Sequence, residues 1–287
     1  IVTAANAGAT IGHVHGRGIG TSNYGNGLNA LITTTYNTGM LTADCVAAWA
    51  MISPTLDRSG HSHALTDGGV TEASADGASG ELKAYSGFSD SANTLIRAYD
   101  SAFDMGLGDF SVAVWFKRTG TTGLQYLFQR ASTGSGGSNW MCQLAAGAHT
   151  IRILIGDGSN SADESGYPYT PDVWNQLIIS WDGSEGTYKG YLNGQFFITA
   201  TNGSVGSLHN ASAAFGIGSG DTGLSAMDQG SLSMFRVTYT GTTAEQAAQM
   251  YAAEKPMFET AAKVLLQGAS DVVLDADIDP ITEDVIL

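Results

Sequence analysis

The stretch Phe110-Ser-Val-Ala-Val-Trp-Phe116 alternates with period two, and this constrains the fold more than any other feature of the chain. Successive side chains of a strand point to opposite faces, so Phe110, Val112, Val114 and Phe116 share one face and Trp115 takes the other. A strand that is apolar on both sides is covered on both sides, as in a layered β fold. Similar runs follow at 124–129, 140–144, 151–155, 174–181, 188–192, 195–199, 213–217 and 232–239. Gly/Ser segments separate them at Gly134-Ser-Gly-Gly137 and Gly156-Asp-Gly158, and Asp182-Gly183 and Asn193-Gly194 supply tight turns. Asn-Gly between two apolar strands is a strong hairpin signal, because both central residues must take positive φ. The expected class is all-β: an antiparallel two-sheet sandwich. One helix is expected after the last strand. Thr242 or Thr243 caps it, Ala247, Met250, Tyr251 and Glu254 carry the helical spacing, and Pro256 ends it.

Composition enters as an excluder of partners. With 12 Lys and Arg against 27 Asp and Glu, the formal charge is −15, and no basic cluster offers a footprint for a phosphate backbone. Nucleic acid is excluded on this ground. No apolar run approaches the ~18 residues that a membrane span needs, so no membrane insertion is expected. Cys45 and Cys142 are too few for a disulfide framework and read as two buried thiols. Texture divides the chain into three zones: a Gly/Asn-rich arm at 1–41, a body at 42–255, and a segment at 256–287 that begins further β structure. Opening at Ile1 and closing at Leu287, the sequence reads as a section of something longer.

Several motifs together bear a family resemblance. Asp172-Val-Trp-Asn-Gln-Leu-Ile-Ile-Ser-Trp-Asp-Gly183, then Gly190-Tyr-Leu-Asn-Gly-Gln195, resemble the signature of laminin-G-like, concanavalin-A-like jelly rolls. Gly108 to Lys117 looks like another hallmark strand of that family. Asp44-Cys-Val-Ala-Ala-Trp49 with Asp57-Arg-Ser-Gly60 looks like its opening strand and first turn, and Leu232 to Val237 like its closing strand. In such a sandwich Trp115, Trp174 and Trp181 are expected between the sheets. A narrower resemblance, at Tyr36–Met40, Glu81–Ser89 and Val264–Asp271, is to phage virion proteins in which such a module sits within a tail or tail-fibre chain.

The candidate chemistry is mostly recognition. Glycoside hydrolysis needs two carboxylates facing across a cleft, and Asp163-Glu164 are adjacent in a Ser/Gly-rich stretch read as a loop, where they would point apart. No Gly-x-Ser-x-Gly elbow sits on a strand-to-helix turn. The chain is therefore read as non-enzymatic. Stacking on a sugar face requires exposed rings with polar groups beside them. Trp140, Tyr167 and Tyr169 are the expected rings, with Asn139, Asp163 and Glu164 as polar partners. The pairs His13-Val-His15 and His61-Ser-His63 place two imidazoles on one strand face, and in a homotrimer one pair would collect six nitrogens on the axis. The family resemblance implies calcium near the first turn and the closing strand. Asp57 matches the first position, whereas Ser233 and Met234 stand where the family often has Asp. Asp275-Ala-Asp-Ile-Asp279 begins like an oxygen-rich loop, but Pro280 sits where a helix-loop-helix calcium site demands Gly. The resulting expectation is a virion tail or fibre-like structural protein with a module for surface attachment. Its partners would be other virion subunits and host glycan. Two alternatives stand beside it: an assembly module that binds no glycan, and a non-catalytic module of an extracellular glycan-degrading enzyme.

Overall fold

A computed structural model describes residues 45–49, 56–74, 83–131, 138–209, 212–258, 277–278 and 285–286. In chain order the strands are β1 (Cys45–Trp49), β2 (Thr66–Asp67), β3 (Thr71–Ser74), β4 (Lys83–Ser86), β5 (Leu95–Arg97), β6 (Phe110–Arg118), β7 (Gln125–Ala131), β8 (Ser138–Leu144) and β9 (Thr150–Gly156). They continue with β10 (Ser161–Pro168), β11 (Asn175–Asp182), β12 (Thr187–Leu192), β13 (Gln195–Thr201), β14 (Ala214–Ile217), β15 (Gly230–Thr238), β16 (Asp277–Ile278) and β17 (Val285–Ile286). One helix, α1 (Ala244–Glu254), follows β15.

Two antiparallel sheets form a jelly-roll sandwich. The eight-stranded sheet runs β13-β12-β11-β6-β15-β4-β3, with β1 also pairing β15; the seven-stranded sheet runs β10-β9-β8-β7-β14-β5-β2. The hairpin at Asn193-Gly194 joins β12 to β13, with φ of +51° and +74°, as the dipeptide predicts. Phe110, Val112, Val114 and Phe116 all face the space between the sheets, where they meet Trp140, Ile153 and Ile155 from the opposite layer.

The tryptophan expectation needs correction. Trp181 lies between the sheets, joined there by Trp49 and Trp140, but Trp115 and Trp174 belong to a second apolar cluster on the outer side of the eight-stranded sheet. That cluster exists because α1 lies over this outer side. Thr243 caps the helix through a capping box with Gln246, and Ala247 and Met250 turn down onto Ala113, Trp115 and Ile178. Trp115 stacks on Phe258 with centroids 4.0 Å apart. The two thiols are buried and form no disulfide among the described residues, Cys45 lying in the outer layer and Cys142 in the central core.

Strand β15 carries one residue more than its neighbour β6. Ser233 pairs Trp115 and Arg236 pairs Ala113, with the shift between them and Met234 in the left-handed region at φ +50°. The bulge turns Met234 outward and restores the phase, so Leu232, Phe235 and Val237 enter the central core. Arg236 then emerges under the helix.

Candidate functional site

A second bulge shapes the outer face of the seven-stranded sheet. The register of β7 slips between Tyr126 and Phe128, so Leu127 and Phe128 both enter the core. Tyr126 and Gln129, three residues apart, consequently face outward together, and Gln129 Nε2 donates to Tyr126 Oη at 3.4 Å. Strict alternation would have set them on opposite sides.

Neighbouring strands continue this face in two cross-strand rows. Ser165, Arg152, Gln143 and Tyr126 are paired in register across β10, β9, β8 and β7. Beside them run Asp163, Leu154, Met141, Gln129, Gly216 and Ile96, across β10, β9, β8, β7, β14 and β5. Arg152 bridges the rows. Its Nε and Nη2 donate to the two oxygens of Asp163 at 2.8 and 2.5 Å, and Nη1 donates to Gln143 Oε1 at 3.2 Å. The Asp163 hydrogen bonds hold the guanidinium above its ordinary pKa, against the desolvation that lowers it. Gln129 and Gln143 are nearly covered and form the floor, whereas Arg152 and Asp163 stand open to solvent at the side.

The loop after β14 closes one end. A Cβ at Gly216 would lie 2.3 Å from the Gly220 carbonyl oxygen, so glycine is what lets the loop fold back over the strand. The Asp221 N–H donates to Gln129 Oε1 at 3.3 Å, and Leu224 in the same loop is exposed. Burial pushes the Asp221 carboxyl up, opposed by the backbone N–H groups of Thr222 and of Asp221 itself. A phenol ring, two floor amides, a guanidinium and the Asp163 carboxylate therefore share one open surface. Such a set can stack on a sugar ring and exchange hydrogen bonds with its hydroxyls.

The residues expected from sequence fall differently. Trp140 is 1% exposed, packed on Phe110, Phe128 and Phe215, because β8 begins at Ser138 and directs Trp140, Cys142 and Leu144 inward. Its ring is not a surface platform. Tyr169 is also buried, edge-on to Phe116, with its hydroxyl 3.2 Å from His149 Nδ1. Tyr167 is half-buried against Phe197. Asp163 and Glu164 lie on strand β10, not in a loop, and of the two Asp163 joins the face just described. The side chain of Asn139 lies outside the described residues, as do His13 and His15.

Asp57 is committed elsewhere. Its Oδ1 accepts the N–H groups of Ala48 and Ser59, and its Oδ2 accepts the His63 N–H and the Ser59 hydroxyl. Both oxygens thus brace the first turn, and Ser233 Oγ donates to the Lys83 carbonyl, so these residues do not fit a calcium site. His61 and His63 lie off any strand, and His63 Nδ1 sits 2.8 Å from Asp100 Oδ2. Among the described residues no group of three or more His, Cys, Asp or Glu is placed to hold a metal.

Sequence reasoning missed Tyr126, Gln129, Gln143, Arg152 and Asp221. The signal for two of them was present: Gln143 and Arg152 are polar at the outward positions of strands whose inward positions are Cys142, Leu144, Ile151 and Ile153. Tyr126 and Gln129 were hidden by the bulge.

Comparison with known proteins is consistent with this architecture. The fold is similar to that of the binding domain of Paraclostridial Mosquitocidal Protein 1 (TM-score 0.59, 15% identity, covering 74% of this chain and 52% of that one). It is also similar to the ligand binding domain of botulinum neurotoxin serotype D in complex with N-acetylneuraminic acid (TM-score 0.57, 14% identity, 77% and 53% covered). The botulinum neurotoxin serotype G binding domain matches with TM-score 0.56 and 11% identity, covering 74% and 51%. This chain thus spans about half the length of the toxin domains it matches. At these identities the likeness is one of fold. Among curated proteins, none matches at the sequence level. Residues 90–248 match the family described as the concanavalin A-like lectin/glucanases superfamily (Laminin_G_3), more than half of the chain, and the protein belongs to that family.

Proposed function

We propose that this domain is a non-catalytic carbohydrate-binding module, taking glycan on the outer face of the seven-stranded sheet. The observation that carries the reading is the placement of Tyr126 beside Gln129, Gln143 and the Arg152–Asp163 pair on one open surface. The serotype D ligand binding domain, about half of which shares this fold, is itself complexed with N-acetylneuraminic acid, and this lends the reading support at the level of fold. Absence of catalysis is part of the proposal. Asp163 is tied to Arg152, and Glu164, next to it on the strand, faces the opposite way, so these two do not make a hydrolytic carboxylate pair.

A glycan array probed with the intact chain and with Tyr126→Ala tests the reading. Binding that Tyr126→Ala abolishes without lowering thermal stability supports it. Binding unaffected by Tyr126→Ala moves the site elsewhere, and no binding to any glycan favours a pure assembly module. Release of reducing sugar from any polysaccharide by this segment overturns the non-catalytic part.

The setting we assign, a phage tail or fibre-like appendage with host glycan and other virion subunits as partners, rests on the sequence resemblances at Tyr36–Met40, Glu81–Ser89 and Val264–Asp271. The toxin domains lend it nothing. Mass spectrometry of purified particles, together with mass photometry for the trimer, tests it; detection only in a secreted fraction would reject it.

A further inference from the structure

We infer that the glycan face selects neutral sugars over acidic ones, and that Asp163 sets this preference by neutralising Arg152. The inference rests on the glycan reading above and specifies the class of ligand. Arg152 is the one cation in the two rows that make up the face. Its Nε and Nη2 are engaged bidentately by Asp163 and its Nη1 by Gln143, so the fork that would otherwise grip a sugar carboxylate or sulfate is occupied. The Gln129 amide oxygen is likewise engaged, by the Asp221 backbone N–H. One carboxylate against one guanidinium leaves the face without net positive charge, on a chain whose formal charge is −15. An incoming anion would meet like charge within the ~8 Å over which charges act at physiological salt. A neutral sugar meets no such penalty. It finds hydroxyl acceptors in the remaining lone pairs of Asp163, and a ring face on Tyr126.

The test uses the intact chain and matched oligosaccharides: an array of neutral oligosaccharides beside the same structures carrying a terminal N-acetylneuraminic acid, a uronate or a sulfate. The expected result is at least tenfold weaker binding of the acidic member of each pair. Asp163→Asn frees the Arg152 fork, and is expected to raise the affinity for acidic members at least tenfold, with a gain that shrinks as salt is added. The wild-type comparison needs no variant to fold, and a melting curve checks the variant. Equal or tighter binding of acidic members by the wild-type chain overturns the inference while leaving the glycan reading intact. A wild-type preference for neutral members that Asp163→Asn does not narrow overturns the role given to Asp163. Binding of no member overturns the glycan reading, and the inference with it.

Discussion

Arg236 and Glu254 form an ion pair fully enclosed between the outer side of the eight-stranded sheet and the end of helix α1, joined by Arg236 Nη1 to Glu254 Oε1 and by Nη2 to Oε2 at 3.0 Å. The same carboxylate accepts Trp115 Nε1 at 2.6 Å and Gln176 Nε2 at 2.8 Å. Three residues of the sheet thus converge on one helix side chain, which fixes how the helix sits. Removing one partner leaves an uncompensated buried charge, so Glu254→Ala and Arg236→Ala are each expected to cost about 3–5 kcal/mol. The double replacement Arg236→Met with Glu254→Leu should cost clearly less than the sum of the single replacements. Chemical denaturation of the four proteins checks this.

Two aromatic substitutions should separate binding from stability. Trp140→Ala empties the central core and is expected to lose ~3–5 kcal/mol of stability. Tyr126→Ala touches the open face and should change stability by no more than ~0.5 kcal/mol while removing glycan binding. Thermal melts run beside glycan titrations distinguish them; a stable Trp140→Ala protein with lost binding would contradict the assignment of both rings.

Acid should loosen the end of the sandwich around Asp100. Burial raises the Asp100 carboxyl, but the Ala102 N–H, the Arg97 guanidinium and His63 more than offset this and hold it below the usual carboxylate range. A carboxyl held low in the folded state contributes stability that is fully present above its unfolded pKa and is lost as pH falls through the folded one. The melting temperature should therefore decline below about pH 4, and Asp100→Asn should flatten that decline at the cost of stability at neutral pH. Asp221, held high by burial, acts with the opposite sign: Asp221→Asn should stabilise modestly near neutrality, with no gain at low pH.

The Asn193-Gly194 turn supports the helix as well as the hairpin. Gly194 has φ +74°, and a Cβ there would lie 2.9 Å from the Tyr251 Cβ and 3.2 Å from the Ala248 Cα. Gly194→Ala combines backbone strain with a clash against α1, and is expected to cost about 1–3 kcal/mol. Far- and near-ultraviolet circular dichroism through a melt reads it, the signal of Trp115 under the helix being lost earliest.

Legibility in the sequence followed the strength of the local pattern. The strand at Phe110–Phe116, the Asn-Gly hairpin and the capped helix could be placed because each rests on contacts close in sequence. Trp115 and Trp174 were misplaced because alternation reports which side a residue faces, and not whether a helix from later in the chain covers that side. Strand β10 was read as a loop for a similar reason: Ser161 to Pro168 is polar, and what makes it a strand is pairing with β9. The candidate face was the least legible part. It depends on a register slip in β7, and a slip is decided by the neighbouring strand β8.

Met234 holds a position whose consequence concerns changes in chain length. Without it, Leu232, Phe235 and Val237 would still fall inward in regular alternation, so losing that single residue is a mild edit to β15. Losing its neighbour Phe235 instead would straighten β15 in the same way, putting Met234 in the inward place of Phe235 and leaving the Arg236 guanidinium under the helix with Glu254. A one-residue loss at either codon thus leaves β15 in step with β6, and the two products differ only in whether phenylalanine or methionine fills one inward place.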